Sequence, residues 1–292
     1  MYQFTTAKEL LDLCSHTGLD IAEIGLLSEV EETGRTKEAI WQAMMNNSTV
    51  MQESIEKGIK PDIHSVGGLI GGNGFRMLER LKKQPALMGT MGVKAVSYAL
   101  AVTEVNASMG KIVAAPTGGA SGVVPGMIFA ITEELELTKE DEIKALLIAA
   151  SIGKIIAINA TLSGAEGGCQ AECGSAAAMA AGAAVYLMGG DPEQCLQAGA
   201  MALKGTLGLV CDPVAGLVEV PCSKRNASSV GNALVCAEMA LAGIQSFIPF
   251  DEVVEAMYRI GRMMSPDLRE TARGGCAATP TARNYTKQFF RS

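Results

Sequence analysis

Residues 174–190 read Gly-Ser-Ala-Ala-Ala-Met-Ala-Ala-Gly-Ala-Ala-Val-Tyr-Leu-Met-Gly-Gly, and this stretch decides the fold class. It contains no charged residue, and most of its side chains are alanine or glycine. A membrane-spanning helix needs about 20 strongly apolar residues, and large aliphatic side chains are too few here. The stretch therefore predicts a helix buried in the core of a soluble protein and packed closely against other helices.

Helical periodicity extends outward from this stretch over nearly the whole chain. The predicted helices cover about 6–18, 35–57, 73–83, 91–107, 124–136, 139–158, 167–188, 192–208, 226–246 and 250–264. The only short strand candidate is 111–115. Because no repeat, low-complexity tract or interdomain linker is apparent, residues 1–292 are predicted to form a single compact all-α domain.

Charge and cysteine usage narrow the class of protein. The net charge of −7 and the pI near 5.1 argue against a nucleic-acid partner, which requires a basic face. The first residues lead into a helical pattern without a targeting signal, so we expect a cytoplasmic protein. Eight cysteines in that compartment indicate buried or chemically active thiols rather than disulfides. Cys14, Cys195 and Cys236 fall within apolar helical patterns and are predicted to be core residues.

Three other cysteines lie in segments rich in glycine or proline, where a buried apolar cysteine would be an unusual choice. They are Cys169 in 163–170, Cys211 in 207–213 and Cys222 in 218–223. Three thiolates would leave one position of a metal centre open to a substrate, which is typical of catalytic rather than structural sites.

The residues by themselves leave the ligand set and the metal open. Ser163-Gly-Ala-Glu166 fits a capping box, which predicts a helix with Cys169 in its first turns, where the helix dipole favours a thiolate. Cys173 follows on the same helix face and is a rival ligand, and loop-borne Cys276 is a further alternative. Zinc is the alternative metal, although the close C-x-x-C pairs of structural zinc sites are missing.

Four glycine-rich connectors, at 64–74, 116–122, 163–168 and 212–221, are expected to line one site. The second leads into a predicted helix at Val123, so its backbone N–H groups predict an anion pocket suited to a small carboxylate. It matches no nucleotide-binding pattern. The residues predicted to bind substrate are Asn106, Ser108, Thr117, Gly118, Gly119, Ser121, Ser163 and Glu166.

The catalytic candidates are His64 and Lys111. The chain has only two histidines, which excludes a His-rich metal site and a Ser-His-Asp triad. His64 begins a glycine-rich connector and is a candidate acid or base near neutral pH, with a turn histidine of no chemical role as the alternative. Lys111 follows the Asn106–Gly110 segment, and its alternative role is to lie near the C-terminal end of a helix capped at Gly110.

Six segments form a further pattern when they are taken in order. They are NASMGK (106–111), APTGGASG (115–122), SGAEGGCQ (163–170), LGLVCDPVAGLVEVPC (207–222), KRNA (224–227) and RETARGG (269–275). In this order they resemble the iron–sulfur L-serine dehydratases, and more narrowly the α chain of the two-subunit type. The resemblance covers essentially the whole chain, and its CDPVAG…VPC segment is highly specific.

The resemblance implies an all-helical domain with a [4Fe–4S] cluster on Cys169, Cys211 and Cys222, which decides against Cys173. It implies conversion of L-serine to pyruvate and ammonia without pyridoxal phosphate, in serine catabolism and gluconeogenesis. The iron without a cysteine ligand would act as a Lewis acid on the serine hydroxyl, and the connector at Thr117–Gly122 would hold the substrate carboxylate. The alternatives are an L-cysteine desulfidase with a similar cluster and a non-catalytic iron–sulfur or zinc scaffold or redox sensor.

Two departures from the family pattern indicate a partner chain. Single-chain relatives end in a cysteine tail that can cover the open iron, whereas the stretch from Gly274 to Ser292 carries no cysteine in the tail position. Those relatives also carry an S-S-S-H-T segment, with the suspected catalytic base, in a separate β domain, and this chain lacks that segment. We therefore expect an oligomer with a β chain, in which the active site lies near the contact between the two chains.

Overall fold

The computed structural model of the protein describes residues 1–291, which form thirteen α-helices and no β-strand. The helices are α1 (Ala7–Thr17), α2 (Ile21–Thr33), α3 (Lys37–Gly58), α4 (Asn73–Leu81), α5 (Gly89–Ala107), α6 (Val123–Glu134), α7 (Lys139–Asn159), α8 (Gly164–Gly167), α9 (Ser175–Leu187), α10 (Pro192–Lys204), α11 (Cys222–Leu241), α12 (Phe250–Met263) and α13 (Pro280–Phe289). The predicted all-α class and single compact domain are confirmed.

Helix α9 is the central element of the core. All of its residues except Tyr186 are buried, and it packs against α6, α7, α10 and α11. Its small side chains allow this close packing, since a methyl group at Gly182 would lie 2.2 Å from Ile152 Cδ1 in α7. The buried helix predicted from residues 174–190 is confirmed. None of the helices in residues 1–291 combines the length and the apolar character needed to cross a membrane.

Side-chain caps set several helix starts and stops. Thr6 and Glu9 form a capping box at the start of α1, which ends at Gly18 with a left-handed φ of 74°. The same device starts α10, where the Asp191 side chain accepts from the Gln194 backbone N–H and proline occupies the first turn. The caps of α1 agree with the helix predicted over about 6–18.

The sequence interpretation was wrong for several elements. It missed α2, although Asp20 and Glu23 form a capping box there, and it missed α13, which Thr279 caps ahead of a first-turn proline. Helix α11 begins at Cys222, four residues before the predicted start near 226. The strand candidate at 111–115 is irregular backbone.

Candidate metal centre

The three predicted cysteine ligands come from separate parts of the chain and are all buried. Cys169 directly precedes a π-helical turn, Gln170–Gly174, that leads into α9. Cys211 lies in the loop between α10 and α11, and Cys222 is the first residue of α11. The helix that carries Cys222 therefore continues from the end of the predicted connector 212–221.

The turn before Cys169 differs from the predicted one. Helix α8 begins directly after Ser163, as predicted, but the Ser163 side chain makes no capping hydrogen bond, and Glu166 accepts a hydrogen bond from Thr161 Oγ1 at 2.6 Å instead. The α8 helix ends at Gly168, whose φ of 76° requires glycine. Cys169 therefore belongs to the next element, and the prediction that a capping box at Ser163 starts its helix is wrong.

Backbone contacts and an ion pair fix the segment around Cys211. The Cys211 N–H donates to the Leu268 carbonyl at 2.8 Å, and the Cys211 carbonyl accepts from the Glu270 N–H at 2.7 Å. The next residue, Asp212, is buried and pairs with Arg225 of α11 at 2.7 Å. The same carboxylate accepts the Cys276 backbone N–H at 2.5 Å, and the Cys276 residue is exposed.

Asn226 joins the glycine-rich connector before α6 to the start of α11. Its Nδ2 donates to the Gly119 carbonyl at 2.7 Å and to the Cys222 carbonyl at 2.9 Å, while its Oδ1 accepts the Gly122 N–H at 3.0 Å. The side chain is fully buried. The connector and the cysteine segments therefore line one region, as predicted.

The side-chain hydroxyls of the 116–122 connector have partners within the protein. Thr117 Oγ1 donates to Glu172 at 2.7 Å, and the buried Ser121 hydroxyl donates to the Gly118 carbonyl at 2.9 Å. That carbonyl also accepts from Asn106 Nδ2 at 3.1 Å. These bonds hold the short helical turn Gly118–Ala120 in a fixed shape beside α6. Carboxylate binding by this connector stays a prediction.

Glu172 is a site residue that the sequence interpretation missed. It lies in the π-helical turn, is only 9% exposed, and its Oε2 is 3.7 Å from Cys211 Sγ. A β-carbon at Gly164 would lie 2.5 Å from the same oxygen, and one at Gly119 would lie 3.0 Å from Oε1. A signal was available, since Glu172 is the only charged residue between 167 and 190.

The buried charges perturb one another. Burial raises the pKa of Glu172 to about 7, and repulsion from the Cys169 thiolate adds to this, while the hydrogen bond from Thr117 opposes it. Hydrogen bonds from the Cys173 and Cys211 thiols and the nearby Arg225 guanidinium lower the pKa of Cys169 well below its ordinary value. Burial raises the pKa of Cys222 to about 12. The pocket therefore favours one thiolate, on Cys169, when it holds no metal.

The two predicted catalytic residues, His64 and Lys111, are exposed. The connector that follows His64 is nonetheless tied to the cysteine segment. The buried Glu219 carboxylate accepts from Ser65 Oγ at 2.6 Å, from the Gly67 N–H at 2.6 Å and from the Leu69 N–H at 3.0 Å. Since Glu219 lies three residues before Cys222, it holds this connector against the Cys222 segment.

The other predicted substrate-binding residues lie at the edges of these segments. Ser108 Oγ donates to the Val105 carbonyl at 2.9 Å and so completes the end of α5. Ser163 is half-buried before α8, and Glu166 is exposed and bonded to Thr161. Whether these residues bind a substrate stays a prediction.

The donor chemistry of the pocket fits a thiophilic metal centre. The donor atoms of Cys169, Glu172 and Cys211 lie within 4.8 Å of one another, so this group can hold a metal ion. Cysteines that bind different irons of one cluster need not lie as close together as ligands of a single ion, which leaves room for Cys222 as a cluster ligand. Glycines at 119 and 164 keep side chains out of the space beside the carboxylate.

Comparison with known proteins assigns the chain to a family. The model for the serine dehydratase alpha chain matches residues 16–277. The chain belongs to this family. It is 49% identical over 287 residues to the probable L-serine dehydratase, alpha chain, of Bacillus subtilis, covering 98% of this chain and 95% of the relative. It is 43% identical over 286 residues to the L-serine dehydratase, alpha chain, of Peptoniphilus asaccharolyticus, covering 98% of both.

A longer relative is also similar to this chain. The L-serine dehydratase of Streptomyces coelicolor is 38% identical over 282 residues, which are 94% of this chain but 61% of that protein. The family resemblance drawn from the six sequence segments is therefore confirmed.

Proposed function

We propose that the protein is the α subunit of an L-serine dehydratase, a lyase that converts L-serine to pyruvate and ammonia. The observation that carries this proposal is the similarity, over 98% of the chain, to two proteins named as L-serine dehydratase alpha chains. The buried cysteine pocket supports it, because loss of hydroxide from serine requires help for a poor leaving group.

We further propose that Cys169, Cys211 and Cys222 hold a [4Fe–4S] cluster. Cysteine thiolates are the usual ligands of such clusters. When bound, the cluster would supply Lewis-acid chemistry at an iron that no cysteine occupies. Asp212, through its ion pair with Arg225, would keep the Cys211 loop against α11, where Cys222 begins.

The chain's own contribution is to bind and orient the substrate. The connector 116–122 would hold the substrate carboxylate with its backbone N–H groups, since a helix begins directly after it at Val123. Glu172, bonded to Thr117, would fix the distance between this connector and the Cys211 thiolate. Held in this way, the substrate would present its Cα–H to a base in a fixed direction.

The base itself is proposed to come from a partner β chain. His64 and Lys111 are exposed and are the candidates within this chain. In an assembled enzyme the partner would cover the open side of the pocket, exclude water and complete the set of proton-transferring groups.

The proposal is tested by production of this chain with a candidate β chain under anaerobic conditions. We expect pyruvate and ammonia in equal amounts from L-serine, with much less sulfide released from L-cysteine. Sulfide as the main product would instead identify an L-cysteine desulfidase. A cluster-loaded complex that turns over neither amino acid would contradict an enzymatic role and favour a scaffold or sensor.

A further inference from the structure

The pocket contains two overlapping sets of metal donors. The proposed cluster ligands are Cys169, Cys211 and Cys222, whereas the donors that lie together at the spacing of a single ion are Cys169, Glu172 and Cys211. Within residues 1–291, Cys222 is not a member of this tighter group. The two sets share Cys169 and Cys211 and differ in the third ligand, so replacing Glu172 or Cys222 can distinguish them.

The distances in the tighter group suit one tetrahedral ion. Zinc binds cysteine sulfur at about 2.3 Å and carboxylate oxygen at about 2.0 Å, which places neighbouring donors of a tetrahedron about 3.5–3.8 Å apart. Glu172 Oε2 lies 3.7 Å from Cys211 Sγ, and all three donor atoms lie within 4.8 Å of one another. Small side-chain movements would therefore close the site.

The charge and the donor types of the pocket also favour a single bound cation. Two thiolates and one carboxylate carry three negative charges when deprotonated, and buried charges of one sign require a compensating cation. Arg225 is a cation that acts on Cys169, and it is already paired with Asp212. Soft sulfur donors select zinc or ferrous iron over magnesium or calcium.

We infer that the cluster-free chain binds one thiophilic divalent ion, Zn²⁺ or Fe²⁺, through Cys169, Glu172 and Cys211, and that this ion competes with cluster assembly. The fourth position is filled by water. Cys222 is not a ligand of the single ion. Cys173 is not one either, although its Sγ lies 3.8 Å from Cys169 Sγ. Both cysteines bind the ion as thiolates.

The test uses the full-length chain after anaerobic removal of iron and sulfide by a chelator. Cobalt(II) is titrated first, because its absorption spectrum counts thiolate ligands and reports coordination geometry, and Zn²⁺ then displaces it. We expect one equivalent of tetrahedral cobalt with two thiolates. The C169S, C211S and E172Q variants should each weaken Zn²⁺ binding by about tenfold or more.

The C222S and C173S variants are the matched controls. Both should bind Zn²⁺ like the parent chain, while C222S alone of these two should fail to assemble a cluster from iron and sulfide. Circular dichroism and thermal melting verify that every variant is folded. Loss of Zn²⁺ binding in C222S, unchanged binding in C211S, or a three-thiolate cobalt spectrum would each overturn the proposed ligand set.

Competition is tested separately by cluster assembly with and without one equivalent of Zn²⁺. We expect the zinc-loaded chain to acquire cluster absorbance more slowly, and equal rates would refute the competition. None of these readouts uses serine turnover. The two proposals can therefore fail independently. The chain could release pyruvate in the complex without binding a single ion, or bind the ion without supporting pyruvate release.

Discussion

Glu172 lies between the two parts of the pocket that are proposed to bind substrate and metal. Its carboxyl lies between Thr117 of the glycine-rich connector and the Cys211 thiol, so it contacts both the proposed substrate-binding segment and a proposed metal ligand. Burial and the neighbouring Cys169 thiolate raise its pKa to about 7. In the metal-free chain the carboxyl is therefore partly protonated near neutral pH. A bound cation would favour its ionised form.

At the same scale, replacement of Cys211 tests the proposed cluster ligands. Cys211→Ala should abolish cluster absorbance and pyruvate formation together, because the loss of one of three thiolates leaves the cluster without a stable anchor. Anaerobic visible spectra, iron content and a pyruvate assay measure these effects on the complex with the β chain. Cys195→Ala is the control, because Cys195 is a buried residue of α10. This variant should retain colour and activity. A coloured and active Cys211→Ala enzyme would show that Cys211 is not a ligand.

The candidate ligands could be chosen from sequence because glycine and proline surround them, but Glu172 could not be placed in this way. Its proximity to Cys211 depends on the π-helical turn, which changes the direction of the side chain relative to a regular α-helix. The π-helical turn itself depends on Gly168 and on contacts with the loop between α10 and α11. One such contact is the hydrogen bond from the Gln170 N–H to the Leu209 carbonyl at 3.0 Å. The isolated charge of Glu172 can be seen in the sequence, but its proximity to Cys211 cannot.

At the scale of the helices, small residues set the distances between axes. Gly126 in α6 faces α5, where a β-carbon would lie 2.7 Å from the Ala95 carbonyl oxygen and 2.9 Å from the Ala99 nitrogen. These are backbone atoms, so the clash can be relieved only by moving one helix. Gly126 lies one helical turn after the end of the connector 116–122, so a shift of α6 would also move the connector.

Gly126→Ala should therefore destabilise the protein by about 2 kcal/mol, since overpacking outweighs the helix propensity gained from alanine. Gly231→Ala is the matched control within α11, because the nearest atom to its β-carbon is Met88 Cε at 4.0 Å. We expect that variant to be stabilised by up to about 1 kcal/mol. Urea unfolding measures the free energy of unfolding of both variants. Equal stabilities would show that close packing at Gly126 does not limit the size of the side chain there.

Helices α5 and α6 are also joined by a charged group whose effect depends on pH. Glu133 accepts hydrogen bonds from Lys94, at 2.8 Å, and from Tyr98. Burial of Glu133 raises its pKa, but these two donors outweigh burial and hold the pKa below its ordinary value. A carboxyl with a lowered pKa in the folded state stabilises the protein above its unfolded pKa, and this contribution is lost as the pH falls through the folded value.

Glu133→Gln should consequently lower the free energy of unfolding at pH 7, by about 1 kcal/mol or less because the side chain is half-exposed and screened by solvent. The difference between the parent chain and the variant should shrink as the pH falls below the ordinary carboxyl range. Thermal unfolding from pH 7 to pH 3 follows this difference. A difference that stays constant with pH would rule out the ion pair as its source.

Element prediction succeeded where a long apolar pattern or a terminating glycine was present, as in α9 and at Gly18. It missed α2 because apolar residues lie on several of its sides, so that no single face stands out, and only the Asp20–Glu23 cap reveals its start. It began α11 too late because the connector was predicted to end at Pro221 and the helix to begin only near 226. Proline is compatible with a position just before a helix, and the helix starts at once with Cys222.

For the whole molecule, the sequence indicated which segments belong together but not how they meet. Asn226 bridges the connector 116–122 to Cys222, and Glu219 ties the His64 connector to the same region. The contacts of Asn226 with Gly119 and of Glu219 with Ser65 join residues more than 100 positions apart, and spacing along the chain does not predict them. The assembled pocket draws on residues from every third of the chain, so its shape depends on the complete helical core.

A partner β chain is expected to complete the active site. The Streptomyces coelicolor relative aligns with this chain over only 61% of its length, which is consistent with an additional part that a separate β chain would supply here. If that part carries the base, the α chain should bind a cluster alone but form little pyruvate from L-serine, and added β chain should restore turnover with a fixed stoichiometry. Anaerobic copurification and a pyruvate assay over a range of β chain concentrations measure this.

The His64→Ala variant, assayed in the complex, tests which chain supplies the base. Lost turnover with an intact cluster would assign the base to this chain, whereas retained turnover would support its origin in the partner. Full activity of the α chain alone would contradict a shared active site.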